Sequence, residues 1–224
     1  MNRLLSASLL LASSLYGQGN ASAVLSRMDA AAPGFRGLTA RISRITYTAV
    51  IKDSSEEQGQ ISLLRVKGKD IRVLTEITRP DHKFFTIGDG KVEIYTPKIA
   101  TVQEIDLTRH KSLMEQFLLL GFGASGKDLV KSYSVRMAGS ETIAGVKASH
   151  LELIPKSAQV KSHYNRIDLW IADPGGYPVR QKLNEPSGNY LMVTYSDIRL
   201  NPDLKPAELR LKLPAGVKRE YPQK

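Results

Sequence analysis

About eleven short apolar runs, separated by turn residues, constrain this chain more than any other feature. "LTARISRITYTAVI", "QISLLRVK", "IRVLTEIT", "KFFTI", "KVEIYT" and "ATVQEIDL" follow one another with only polar or glycine-containing links between them. Five more runs follow residue 132: "YSVRMAG", "VKASHLELIP", "YNRIDLWIAD", "YPVRQKLNE" and "YLMVTYSDIRL". Apolar side chains recur at every second position in them, at Ile71 and Val73, Phe85 and Ile87, Val92 and Ile94, Leu151 and Leu153, and Ile167, Leu169 and Ile171. Period two with short links predicts an antiparallel meander. In "IGDGKV" the two-residue Asp89-Gly90 turn is a hairpin signal. "DSSEEQG" is read as a polar turn, with Glu56 and Glu57 as exposed acceptors. The phase of the first run slips near Ser43-Arg44. "NPDLKPAELRLKLPAGVK" is read as a polar loop and a final short strand.

Strands twist, so a sheet of this width must curl or close. Helical periodicity is scarce. Leu113, Met114, Phe117, Leu118 and Leu120 share one face of a predicted helix over 111–120, and Leu25, Met28, Ala31 and Ala32 share that of a shorter one ending at Pro33-Gly34. Two helices cannot cover both faces of such a sheet, but they can cap the mouth of an incompletely closed barrel. The predicted fold is mainly β: a curved antiparallel sheet forming an unclosed half-barrel, capped by a mid-chain helix and a short N-terminal one. Its concave surface exceeds what the helices can fill, which predicts an apolar ligand cavity.

The N-terminus carries Arg3, an apolar stretch from Leu4 to Leu15 and the small residues Ala21-Ser22-Ala23. This layout predicts a secretory signal over 1–23, cut after Ala23, leaving 24–224 as one exported domain. The absence of cysteine excludes disulfides, thiolate chemistry and thiol lipidation. A net charge of +10 favours anionic partners. Export argues against nucleic acid, and the charges are dispersed enough to read mostly as a solvated face.

No catalytic constellation emerges. "GFGASGK" fits the spacing of a phosphate-binding loop, but Asp128 stands where magnesium chemistry needs a hydroxyl, so the segment reads as a glycine-rich helix terminus and loop. His82, His110, His150 and His163 lack metal-site spacing, and no G-x-S-x-G elbow is present. No cofactor is expected. The reading is non-enzymatic, with a hydrolase in an unfamiliar arrangement as a distant rival.

Three segments, in order, resemble the periplasmic outer-membrane lipoprotein carriers (LolA-type) and the wider lipoprotein-sorting superfamily. They are "LSRMDAAAPGFRGLTARISRITY" with Phe35 in the aromatic place, "RPDHKFFTIGDGKVEIYTPKIATVQEIDL", and "LRLKLPAGVK" with Pro214, Gly216 and Val217. The resemblance implies a helix-capped half-barrel that holds acyl chains of a lipoprotein or lipid. It also implies a monomer that takes cargo from an inner-membrane donor to an outer-membrane acceptor. The expected cavity and lid residues are Ile71, Val73, Phe85, Ile94, Met114, Phe117, Leu118, Leu151, Leu153, Leu169 and Ile171. Where such carriers have an arginine and a proline after a Val-Lys pair, this chain has Gly68 and Lys69 after Val66-Lys67, making Lys69 the candidate substitute. An envelope sensor or scaffold domain on the same fold, recognising a lipidated or protein partner, is the alternative.

Overall fold

The alternating runs pair into a single twelve-stranded sheet in the computed structural model, which describes residues 21–66, 71–107, 120 and 122–222. The strands are β1 (Gly37–Thr48), β2 (Asp53–Arg65), β3 (Ile71–Arg79), β4 (Lys83–Gly88), β5 (Lys91–Thr96) and β6 (Thr101–Asp106). After them come β7 (Tyr133–Ile143), β8 (Val146–Pro155), β9 (Arg166–Ala172), β10 (Pro178–Asn184), β11 (Tyr190–Leu200) and β12 (Lys218–Glu220). Their spatial order is β12-β6-β5-β4-β3-β2-β1-β11-β10-β9-β8-β7. Two meanders thus meet where β1 pairs with β11, and among the described residues β12 and β7 are the two edges. The sheet is an open half-barrel.

Local chemistry explains the links. Asp89 and Gly90 have φ of 52° and 75°, and Ala144 and Gly145 have 48° and 82°. Two left-handed residues in succession make the turn whose twist matches a hairpin, and glycine takes the second place without strain. Every pairing is antiparallel except that of β12, which lies parallel to β6. The expected final short strand is present, but only at the end of the closing segment. The residues from Arg210 to Val217 run unpaired along the outer face of the sheet, and only Lys218–Glu220 joins the ladder. Leu209, in a short 3-10 turn, is buried there.

One correction concerns the first hairpin. β1 stops at Thr48, and Val50 and Ile51 form an exposed turn, 90% and 68% accessible. "DSSEEQG" is strand, not turn: Ser54 to Gln60 pair residue by residue with Tyr47 to Arg41.

Three α-helices lie among the described residues: α1 (Ala21–Ala31), α2 (Gly126–Ser132) and α3 (Ala158–His163). The expected helix over 111–120 falls outside the described residues, apart from Leu120. α2 was not anticipated from "GASGKD". Ser125 caps it by accepting from the Asp128 backbone N–H at 3.1 Å, a serine N-cap recognisable in hindsight. α1 and α2 lie on the inner face of β7–β9. Val24, Met28 and Leu129 pack there with Tyr133, Leu151, Leu153, Ile167, Leu169 and Ile171.

β9 is buried on both sides from Ile167 to Ala172. Its outer residues satisfy one another. The His150 ring stacks on Trp170 at 4.2 Å, and Arg180 lies 5.5 Å from the indole. Asp168 accepts from Asn184 at 2.7 Å, bonds His150 at 2.9 Å and receives Arg166 Nε at 3.1 Å.

Candidate ligand-binding face

Strand register decides which side chains share the concave face. From Val73 the row runs through Leu63 to Leu38 on one side and to Ile87 and Val92 on the other. The adjacent row is Ala40, Ile61, Thr75, Phe85 and Ile94. Three regions of this face differ in how far the chain covers them.

Over β7–β9 the face is filled. Leu151, Leu153, Leu169 and Ile171 are each 0% exposed and packed against α1, α2 and Leu120. Near the centre, Ile71 and Val73 are buried in a second cluster with Phe35, Leu38, Ile42, Leu63, Phe122 and Tyr195. Phe122 stacks on Phe35 at 6.2 Å and meets Tyr195 edge-on at 5.0 Å. Burial pushes the Tyr195 phenol up, so it stays protonated and donates to Gln181 Oε1 at 3.0 Å. The Gln181 amide in turn donates to the Leu120 carbonyl.

Over β4–β6 the face is only half-buried. Phe85, Ile87, Val92, Ile94 and Ile105 present apolar side chains there without full burial. This contrast divides the expected site residues. The four on β8 and β9 are consumed by helix packing, Ile71 and Val73 by the central cluster, while Phe85 and Ile94 are only half-buried. Met114, Phe117 and Leu118 lie outside the described residues.

A separate apolar cavity of about 190 Å³ opens beneath the end of α1, lined by Met28, Phe35, Ala124, Tyr177 and Leu200 among others. Ligand pockets usually span about 300–1,000 Å³, so it is too small to enclose a whole acyl chain.

Several polar groups at this face were not anticipated. Arg65, at the end of β2, donates to the Gly123 carbonyl at 3.1 Å and lies 5.6 Å from the Phe35 ring. It pins the loop before α2 onto the sheet. Lys69, the expected substitute, lies outside the described residues. At the opposite end the inner face turns charged, and the phase slip at Ser43-Arg44 is the sequence signal for it. β1 continues without a break opposite β2, but its inward position after Ile42 is Arg44, directly across from Glu57. These two side chains form an ion pair. Lys83 approaches Glu57 at 3.8 Å, and the Arg44 guanidinium lies 5.4 Å from the Phe85 ring. Glu57 is thus not the exposed acceptor expected; its side chain is only 15% accessible.

The described residues include no group of three or more potential metal ligands. His82 is exposed beside Glu76 at 2.8 Å, His163 is exposed, and His110 lies outside the described residues.

No family model matches the chain, and no curated protein matches it. Solved structures do share its fold. An uncharacterised conserved protein from Thermus thermophilus superposes with a TM-score of 0.55 at 14% identity, over 90% of this chain and 98% of that one. MucB does so with 0.53 at 15% identity; the match covers 88% of this chain but 65% of the MucB chain. The lipoprotein LppX of Mycobacterium tuberculosis gives 0.50 at 11% identity, over 83% of this chain and 99% of that one. At such identities the likeness concerns the path of the backbone alone. The chain's own unclosed, helix-capped sheet is the half-barrel that the sequence analysis expected.

Proposed function

We propose that the chain is a non-enzymatic, periplasmic binder and carrier of acyl chains, belonging to lipoproteins or lipids. In this reading the signal over 1–23 is removed and 24–224 works as one domain. The observation that carries it is the half-buried apolar strip of Phe85, Ile87, Val92, Ile94 and Ile105, on the same face that α1 and α2 fill elsewhere. Incompletely covered apolar side chains on a concave surface favour an apolar occupant.

The energetics suit carriage. Each buried methylene is worth about 0.8 kcal/mol, so a 16-carbon chain exposes about 12 kcal/mol to water without a shield. Release needs no nucleotide. Each tenfold difference in affinity is about 1.4 kcal/mol, so a modest step to a tighter acceptor drives transfer. Cargo passes from an inner-membrane donor to an outer-membrane acceptor. A sensor or scaffold role for the same fold is favoured by one feature, the exposed Val50 and Ile51 at the β1–β2 turn, which offer an apolar contact to a protein partner.

Native mass spectrometry of the protein isolated from the periplasm, with displacement of a fluorescent fatty acid, tests the carrier role. Co-purifying acylated species and probe binding abolished by Ile94→Glu in a folded variant are expected. A folded wild-type protein that carries no acyl species and binds no probe overturns it.

A further inference from the structure

The charged end of the inner face has a composition that an acyl-binding surface alone does not require. Arg44, Glu57 and Lys83 come from β1, β2 and β4, and register directs all three to the concave side beside Phe85. Two cations share one carboxylate, so the cluster keeps a surplus positive charge. Arg44 is also incompletely satisfied. One of its terminal nitrogens pairs with Glu57, but its Nε–H is buried with no hydrogen-bond partner. The guanidinium and the Lys83 ammonium can each donate to an incoming acidic group, and charge-assisted bonds of this kind are the strong ones.

The side chains remain reachable, with Arg44 and Lys83 32% and 34% accessible. The apolar strip begins where the charges stop. Phe85 packs under the Arg44 guanidinium and pairs across the ladder with Ile94, so a headgroup at Arg44 and Lys83 leads its tail directly onto Phe85 and Ile94.

We propose that the juxtaposition of Arg44 and Lys83 with the Phe85–Ile94 strip selects amphiphiles with an acidic headgroup, a carboxylate or a phosphate ester, over neutral ones of equal chain length. Glu57 orients the Arg44 guanidinium and moderates the charge. This rests on the acyl-binding reading and adds to it the class of headgroup.

The test titrates the full chain with hexadecanoate, hexadecanol and a single-chain lysophosphatidate. Wild type is expected to prefer both acids to the alcohol by about tenfold. Lys83→Gln and Arg44→Gln should each reduce that preference, weakening the two acids more than hexadecanol. Glu57→Gln, which removes the competing charge, should increase it. The stronger of the two acids identifies carboxylate or phosphate as the natural group. Lys83, being more peripheral, gives a folded variant if Arg44→Gln does not fold. Equal affinity of wild type for acid and alcohol, or a preference unchanged in Lys83→Gln and Glu57→Gln, overturns the headgroup assignment alone. Failure of all three ligands to bind overturns the acyl-binding reading and this assignment with it.

Discussion

Replacing Leu169 and Ile94 with alanine, one at a time, separates packed core from ligand surface. Leu169 is 0% exposed, flanked by Leu151 on β8 and Gln181 on β10, and lies in the cluster that α1 and α2 complete. Truncation removes three carbons, about 2.4 kcal/mol of transfer energy at about 0.8 kcal/mol each. The space left is closed on all sides, so a cavity term adds to this, and a total of about 3 kcal/mol is expected. For a chain of this size that lowers Tm by about 6–12 °C. Affinity for a fluorescent fatty acid should change by less than about twofold, because no ligand reaches the site. Ile94 is half-buried on the open strip. Its truncation forfeits about half the transfer energy and creates no closed cavity, so about 1 kcal/mol and about 2–4 °C are expected. The same missing carbons lie under the proposed tail, and a loss of about 1.4 kcal/mol there weakens binding about tenfold. Circular dichroism melting and probe displacement on both variants decide the matter. If Leu169→Ala weakens probe binding more than Ile94→Ala does, the division of this face into core and site is wrong.

Other expectations follow from individual contacts. Arg65→Met removes the donor to Gly123 and the charge above Phe35, at a cost of about 2 kcal/mol. Hydrogen exchange should quicken at residues 123–125, and unchanged protection there would show that the arginine does not hold the loop. Burial of Asp168 pushes its pKa up, but hydrogen bonds from His150 and Asn184 and the charge of Arg166 outweigh it and hold the carboxyl below its ordinary value. A depressed pKa stabilises the fold above the unfolded value of about 3.9, and that contribution is lost as pH falls through the lower folded value. Asp168→Asn should therefore cost about 2 kcal/mol at pH 7 and progressively less below about pH 4. Urea unfolding across that range measures it, and a pH-independent difference refutes it. Val50→Ser combined with Ile51→Ser touches only exposed side chains, so stability should stay within about 0.5 kcal/mol. Acyl-probe affinity should also be unchanged; a large loss of it would place these residues in the ligand path instead.

The strands were legible because period two is written locally. Ile71/Val73, Phe85/Ile87 and Leu151/Leu153 each occupy one face of one strand, and Asp89-Gly90 forms the turn its composition indicates. Errors arose where a local cue had two meanings. "TAVI" is β-branched and apolar, yet Val50 and Ile51 form the turn, because the Thr48–Asp53 pairing closes the ladder behind them. Glu56 and Glu57 look like turn decoration, yet they lie on a strand, and register turns Glu57 inward. The short α2 and α3 have too few residues to show helical periodicity.

From the order of its residues alone, this chain is committed to many short strands, a curved sheet and an apolar inner surface, since alternation and turn chemistry act between near neighbours in sequence. Which part of that surface is core and which is open could not be read that way. Leu151 and Ile94 carry the same pattern, and only the placement of α1 and α2 over β7–β9 buries one while leaving the other half-exposed. The meeting of Arg44, Glu57 and Lys83 is likewise a product of three-dimensional register. Burial and charge pairing depend on which distant segments come together, and that is settled by the packing of the whole sheet.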